Sequence, residues 1–416
     1  MNAAQFREVA GGPVTLDADA ASPDAMAADK LARSTARPRL DAIDLLRGAV
    51  MMLMALDHTR DFFAAGGMNP RDVGEPALFL TRWITHFCAP VFILLAGMSA
   101  WLYGSRGRST AEVSRFLLTR GLFLIVMEFT VVRMGWSFSL VPHYLVAQVI
   151  WAIGVSMVVL AALVHLPHWA VATFAIALIG GHNLLDNIRA DDLPAIGGLW
   201  TVLHERGLVR LGSDAMVYVL YPVVPWVGVM AIGYVLGPVL RLHAALRRPL
   251  LLQLGLIVTA AFFVLRADNV YGDPAAWASQ AGSLATTLSF LNCEKYPPSL
   301  LYLMMTLGPA LIGLALAESA RGPVVARIVV FGRVPFFFYV AHLFLIHALA
   351  VAFSWATTGE TAWLFGLVPP QKPAGYGLSL PGIYAAWLLV LVALYPLCRW
   401  FAALKQRSDK WWLSYL

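Results

Sequence analysis

The 416 residues are 59% hydrophobic and 13% charged, with a mean hydropathy of +0.70. Water-soluble domains carry about 25% charged residues, so one soluble core cannot absorb this chain, and a polytopic membrane protein is expected. The net charge of +6 and pI near 9.3 follow from basic residues gathered in alternate loops, which argues for membrane topology and against nucleic-acid binding.

Residues 1–38, Ala- and Asp-rich, read as a disordered cytoplasmic tail and lack the apolar segment of a signal peptide. Crossing roughly 30 Å of hydrocarbon takes about 20 apolar residues as helix. Such stretches are predicted at 41–63, 79–103, 115–138, 143–164, 169–185, 216–240, 249–267, 298–317, 326–355 and 381–404. The fold class is therefore all-α, a bundle of about ten transmembrane helices across 39–405, with 406–416 as an interfacial tail. The stretch 326–355 is long enough to tilt, break at Pro335 or split. The runs do not alternate, which excludes barrel strands. With residue 1 in the cytoplasm, the basic clusters at Arg33 to Arg39, Arg106 to Arg115, Arg241 to Arg248, Arg321 to Arg327 and Lys405 to Lys410 share one side. Both termini are then cytoplasmic. Loops 186–215 and 268–297 lie outside and carry Trp200, Trp277 and Tyr296, while "KWWLSYL" at the end reads as an interfacial anchor. Cys88, Cys293 and Cys398 show no metal or disulfide spacing, and no internal repeat is visible.

Within the first span, "DLLRGAVMMLMALDHTRDFF", Arg47 and His58 are eleven positions apart (58 − 47). On a helix that is about three turns, which sets them on one face about 16 Å apart along the axis. Asp44, Met51, Met54 and Ala55 share or flank that face, and Asp57 and Asp61 accompany His58 at the outer end. An ionisable side chain at such depth costs about 2.5–3.5 kcal/mol, so this face is expected to line a protein interior. Two readings stay open: a structural network pairing Asp44 with Arg47 and Asp57 with Arg60, or Arg47 holding an anionic ligand and His58 moving a proton. His86, Glu128, Arg133, Arg333, His342 and His347 fall at matching depths in other spans. Glu128 reads as neutralising an Arg. His342 and His347, about 140° apart on a helix, do not form a metal pair and read as core or channel-lining groups. Pro90 is expected to bend the second span, and "KYPPS" to start the eighth with proline at a permissive position, a structural role first of all.

The segments "RLDAIDLLRGAVMMLMALDH", "APVFILLAGMSAWL", "YPVVPWVGVMAIGY", "YPPSLLYLMMTLGP" and "FGRVPFFFYVAHLFLIH" together resemble the bacterial relatives of heparan-alpha-glucosaminide N-acetyltransferase, from about Arg39 to the last helix. The Arg, ten residues, His arrangement is also similar to the first-helix motif of integral-membrane O-acyltransferases. The resemblance implies a multi-pass acyltransferase of the bacterial inner membrane. It would take an acetyl or other acyl group from cytoplasmic acetyl-CoA or another acyl-CoA, without a metal, and pass it to an extracytoplasmic acceptor, a sugar hydroxyl or amine. Membrane lipid and a glycan or small-molecule acceptor are the implied partners, nucleic acid is not, and a homodimer stays open. Arg47 and Arg333, with Asp44, would hold the coenzyme, and His58 would act as general base or acyl carrier. Asp57 or Asp61 would orient the ring, Asn69 or His86 would stabilise the oxyanion or position the acceptor, and Asp61, Lys295 and Tyr296 would meet the substrate. In the lysosomal enzyme the position matching His58 is an Asn and the working His follows in the next loop; here Asn69 stands there, so the glucosamine substrate is not carried over. The rival class is a proton-coupled transporter or flippase. The lack of inverted repeats and the pairing of Arg47 with His58 on one helix favour the enzyme.

Overall fold

The computed structural model describes residues 41–139, 144–212, 214–366, 372–408, 410 and 413. The tail read at 1–38 and most of the "KWWLSYL" anchor lie outside the described residues.

Helix α1 (Asp41–Phe63) runs unbroken over the first predicted span. The second span is two helices, α2 (Pro76–Thr85) and α3 (Cys88–Gly104), parted at His86 and Phe87. Proline at position 90 has no N–H to give the His86 carbonyl four residues back, so the helical ladder fails there. The freed carbonyl accepts a hydrogen bond from the Tyr302 hydroxyl at 2.7 Å instead. The third span is α4 (Thr110–Met127), a π-helical turn over Glu128–Val132, and α5 (Arg133–Ser137), which stops at Phe138 in the left-handed region (φ 44°). The π turn inserts a residue into the helix, turning the face that carries Trp136 toward α1.

The remaining elements are β1 (Tyr144–Ala147), α6 (Val149–Leu163), α7 (His168–Gly181), α8 (Gly197–Leu203), β2 (Gly207–Leu211), β3 (Ala215–Val219), α9 (Val223–Leu236), α10 (Ala244–Asp268), α11 (Ser283–Leu291), α12 (Leu300–Ala317), α13 (Pro323–Arg333), α14 (Pro335–Thr358) and α15 (Leu380–Arg407). The all-α expectation is corrected by a small sheet of order β1-β3-β2, parallel between β1 and β3 and antiparallel between β3 and β2. Its strands "YLVA" and "AMVYV" were read into helical spans because they are apolar; Val and Tyr suit a pleated surface once a neighbouring strand is present. The stretch 326–355 splits at Pro335, which begins α14. Among the described residues seven helical stretches are long and apolar enough to cross a membrane. Charge-laced α1 is not one of them.

Helix α1 is the centre of the packing, touching α3, α12, α13, α14 and α15. Met51, Met54, Ala55 and Leu56 are buried along it, so lipid does not reach this face. Between helices in a bilayer, close backbone approach replaces hydrophobic burial as the source of attraction. Gly48 and Gly332 provide it: a Cβ on Gly332 would fall on the Asp44 carbonyl, and one on Gly48 on the Ile328 carbonyl. This crossing of α1 and α13 brings Arg333 to the start of α1. Replacing Gly332 with Ala is expected to cost about 1–3 kcal/mol through overpacking. The check is the thermal unfolding midpoint in detergent, with Gly313→Ala as control, because a Cβ there would meet nothing nearer than Leu46 Cδ1 at 3.7 Å. Equal midpoints would refute the crossing.

Candidate active site

The two ends of α1 hold two polar clusters. At one end His58 Nδ1 lies 2.7 Å from His342 Nε2, with the rings 8° from parallel. His342 Nδ1 is 2.8 Å from the Phe338 carbonyl. A carbonyl only accepts, so His342 Nδ1 carries the hydrogen and neutral His342 presents a lone pair at Nε2. His58 Nδ1–H donates to that lone pair. The second nitrogen of His58, Nε2, is then the unprotonated one, and it has no hydrogen-bond partner among the described residues. Trp136 stands edge-on to the His58 ring at 4.8 Å and Tyr339 at 6.1 Å, forming an aromatic wall around the pair.

Neither neighbouring carboxylate touches the His58 ring. Asp57 Oδ1 accepts from Thr85 Oγ1 at 2.8 Å and pairs with Arg60 Nη2 at 2.6 Å, while its Oδ2 is 3.7 Å from Lys295 Nζ. Asp61 Oδ1 takes the same Arg60 nitrogen at 2.9 Å. Lys295 Nζ sits 5.1 Å from the centre of the Tyr296 ring, which packs against Tyr221. His86 is fully buried 5.3 Å from the Tyr302 ring, and neither of its ring nitrogens has a hydrogen-bond partner among the described residues. Asn69 is apart from this group: it is exposed, and its Oδ1 accepts from the Arg71 amide at 3.0 Å to close a turn. A cleft of about 540 Å³ opens at this end, lined by Arg60, Asp61, residues 64–68, Pro70, Leu78 and Lys372.

At the other end Arg47 Nη1 donates to Asp44 Oδ1 at 3.2 Å and to the Gly332 carbonyl at 3.3 Å, and Nη2 donates to Ser99 Oγ at 3.2 Å. Arg333 Nη2 meets Asp41 Oδ1 at 3.3 Å, and its Nε is 3.9 Å from Asp44 Oδ2. Arg47, Asp44 and Arg333 thus come together at this end, with Asp41 added. Glu128, expected to neutralise an Arg, accepts the Trp151 amide at 2.8 Å and so serves one of the orphan N–H groups at the start of α6. His347 is tied to the carbonyls of Gly135 and Leu364. The pairing of Asp57 with Arg60 is the one the sequence offered; the residues that sequence reasoning passed over are His342 as a partner of His58, and buried Arg82 on the neighbouring helix. Each is unremarkable along the chain and acquires its meaning only from another helix.

The family model described as heparan-alpha-glucosaminide N-acetyltransferase, catalytic, matches residues 39–279. The chain belongs to this family. The stretch matched to the heparan-alpha-glucosaminide N-acetyltransferase family opens on α1 and so contains Arg47, Asp57 and His58, whereas Lys295, Arg333 and His342 come from beyond it. Among curated proteins no match is found. Family membership and the seven apolar helices together make this a multi-pass membrane protein of the acetyltransferase kind.

Proposed function

We propose that the protein moves an acetyl or related acyl group from cytoplasmic acyl-CoA to a sugar hydroxyl or amine on the far side of the bacterial inner membrane. The observation that carries this reading is the layout of α1, with an arginine cluster at one end and, about 16 Å along the axis, a histidine whose Nε2 is free to accept a proton. An extended pantetheine arm covers that span.

At the cytoplasmic end Arg47 and Arg333 hold the phosphates of the coenzyme through charge-assisted hydrogen bonds. The pair between Arg333 and Asp41 is largely exposed and worth little alone, so a phosphate can take the place of Asp41. Arg47 keeps its direction through Ser99 and the Gly332 carbonyl. Bound acyl-CoA supplies an activated thioester. His58 Nε2 takes the proton of the acceptor as the acceptor attacks the thioester carbonyl, a general-base contribution of about 10²–10⁴ in rate, and returns it to the CoA sulfur as the C–S bond breaks and free CoA leaves. His342 keeps the accepting nitrogen of His58 unprotonated and receives a stronger hydrogen bond once His58 is charged. Asp57, anchored by Arg60, Thr85 and Lys295, offsets part of that charge.

Acetyl-CoA binding to the purified protein tests the first half of this reading. Arg47→Ala is expected to weaken binding at least about tenfold, the loss of one charge-assisted contact. Unchanged affinity would remove Arg47 from the coenzyme site.

A further inference from the structure

Helix α4 is fixed in the bundle through Gly121, which packs backbone to backbone on Gly154 of α6. Leu118, Leu122 and Val126 are left exposed, and so is Thr130 in the π turn that follows. Residues three and four apart are neighbours on a helix surface, so these side chains form one outward stripe, and Arg133 is its next member. Trp136, one turn further on, stands against the His58 ring, which puts this end of the stripe at the His58 end of α1.

Arg133 is half-buried, and its Nε and Nη2 are buried with no hydrogen-bond partner. Among the described residues it has no ion pair either. Glu128, the nearest carboxylate along the chain, is taken by the Trp151 amide at 2.8 Å. The Thr130 hydroxyl donates to the Val126 carbonyl at 2.7 Å, and residues 140–143 carry no acid. A guanidinium keeps its charge, and at membrane depth it is costly unless an anion meets it. The missing partner is therefore defined by two properties. It accepts several N–H bonds on a negative group, as a phosphate does, and it is apolar where it runs beside Val126 and Leu122. From Arg133 to Leu122 is about 16 Å along the helix, close to the depth of one leaflet, half of roughly 30 Å.

We infer that Arg133 binds the phosphate of an anionic phospholipid in the leaflet at the His58 end, with an acyl chain lying along Val126 and Leu122. A net negative headgroup is required because the choline of a zwitterionic lipid cancels the phosphate charge and repels the guanidinium. An occupied site braces α5, and with it the Trp136 wall of His58, from the lipid side. The site does not rest on the acyl-transfer reading.

Full-length protein in an uncharged detergent, titrated with dioleoyl phosphatidylglycerol, dioleoyl phosphatidylcholine or inorganic phosphate, tests this by native mass spectrometry and by the thermal unfolding midpoint. Phosphatidylglycerol is expected to fill one site at least about tenfold more tightly than phosphatidylcholine, the difference made by one charge-assisted contact, and to raise the midpoint. Inorganic phosphate, which has no chain, is expected not to displace it. Arg133→Gln should lose that one bound lipid and the rise in midpoint. Without lipid it should unfold at the same or a higher temperature, whereas loss of an arginine that serves only the fold would lower it. Arg133→Lys should keep the preference at reduced affinity. If Arg133→Gln does not fold, hydrogen exchange in the wild type carries the comparison: the amides of residues 133–138 should slow with phosphatidylglycerol and not with phosphatidylcholine. Equal affinity for the two lipids, displacement by inorganic phosphate, or an undiminished preference in Arg133→Gln overturns the inference.

Discussion

His58→Ala protein is expected to bind acetyl-CoA as the wild type does and to release free CoA in the presence of an acceptor at least about 10²-fold more slowly. The affinity should survive because the arginine cluster sits about three helical turns away and contains no group that touches His58. The rate should fall because the imidazole nitrogen that takes the acceptor's proton is gone and the neighbouring carboxylates are engaged elsewhere. Asp57 is spent on Arg60, Thr85 and Lys295, and Asp61 on Arg60. His342 Nδ1 is bonded to the Phe338 carbonyl, and its Nε2 faces His58. Single-turnover measurement with labelled acetyl-CoA separates binding from transfer. A variant that transfers at the wild-type rate would remove His58 from the chemistry, and one that loses binding and transfer together would recast it as a structural residue.

The second large effect concerns His342. Leucine at this position removes the acceptor for His58 Nδ1–H, so the imidazole is free to take the other tautomer, with its hydrogen on the nitrogen that must accept. A base held in the wrong tautomer costs up to about 10⁴ in serine proteases, and a loss of about 10²-fold or more is expected here for His342→Leu. Glutamine is the informative companion, because its side-chain oxygen can stand close to the place of the imidazole Nε2 and accept the same hydrogen. His342→Gln should therefore recover most of the rate. Nitrogen NMR of histidine-labelled protein gives a second reading that needs no turnover: His58 should be protonated at Nδ1 in the wild type and in His342→Gln, and shift toward Nε2 protonation in His342→Leu. Equal losses in both variants with an unchanged His58 signal would show that His342 only fills space.

Much of α1 was legible in the chain, because everything that specifies it is local. Its limits at 41 and 63, the shared face of Arg47 and His58, and the burial of Met51, Met54 and Ala55 all follow from helical periodicity and the cost of charge in hydrocarbon. The break at Pro335 is local too, since a missing N–H and a fixed φ act within one turn. The strands of the small sheet were misread because an apolar run of four or five residues suits helix or strand equally, until a hydrogen-bonding neighbour is present.

The functional pairings belong to the other kind of information. His342 is 284 positions from His58, and nothing in the periodicity of either helix says that the two imidazoles meet. Arg333 reaches Asp44 only because Gly48 and Gly332 let two backbones touch, and Arg82 is one cation among many until α2 packs against α1 and buries it. By itself the sequence determined that this chain lives in a membrane and that one of its helices carries an arginine and a histidine on one face, because solvent preference and helical repeat are properties of short stretches. Only the tertiary structure decided which nitrogen of that histidine is free and which cations surround its neighbour, because hydrogen-bond partners and buried charge are properties of groups that distant parts of the chain bring within a few ångströms of each other.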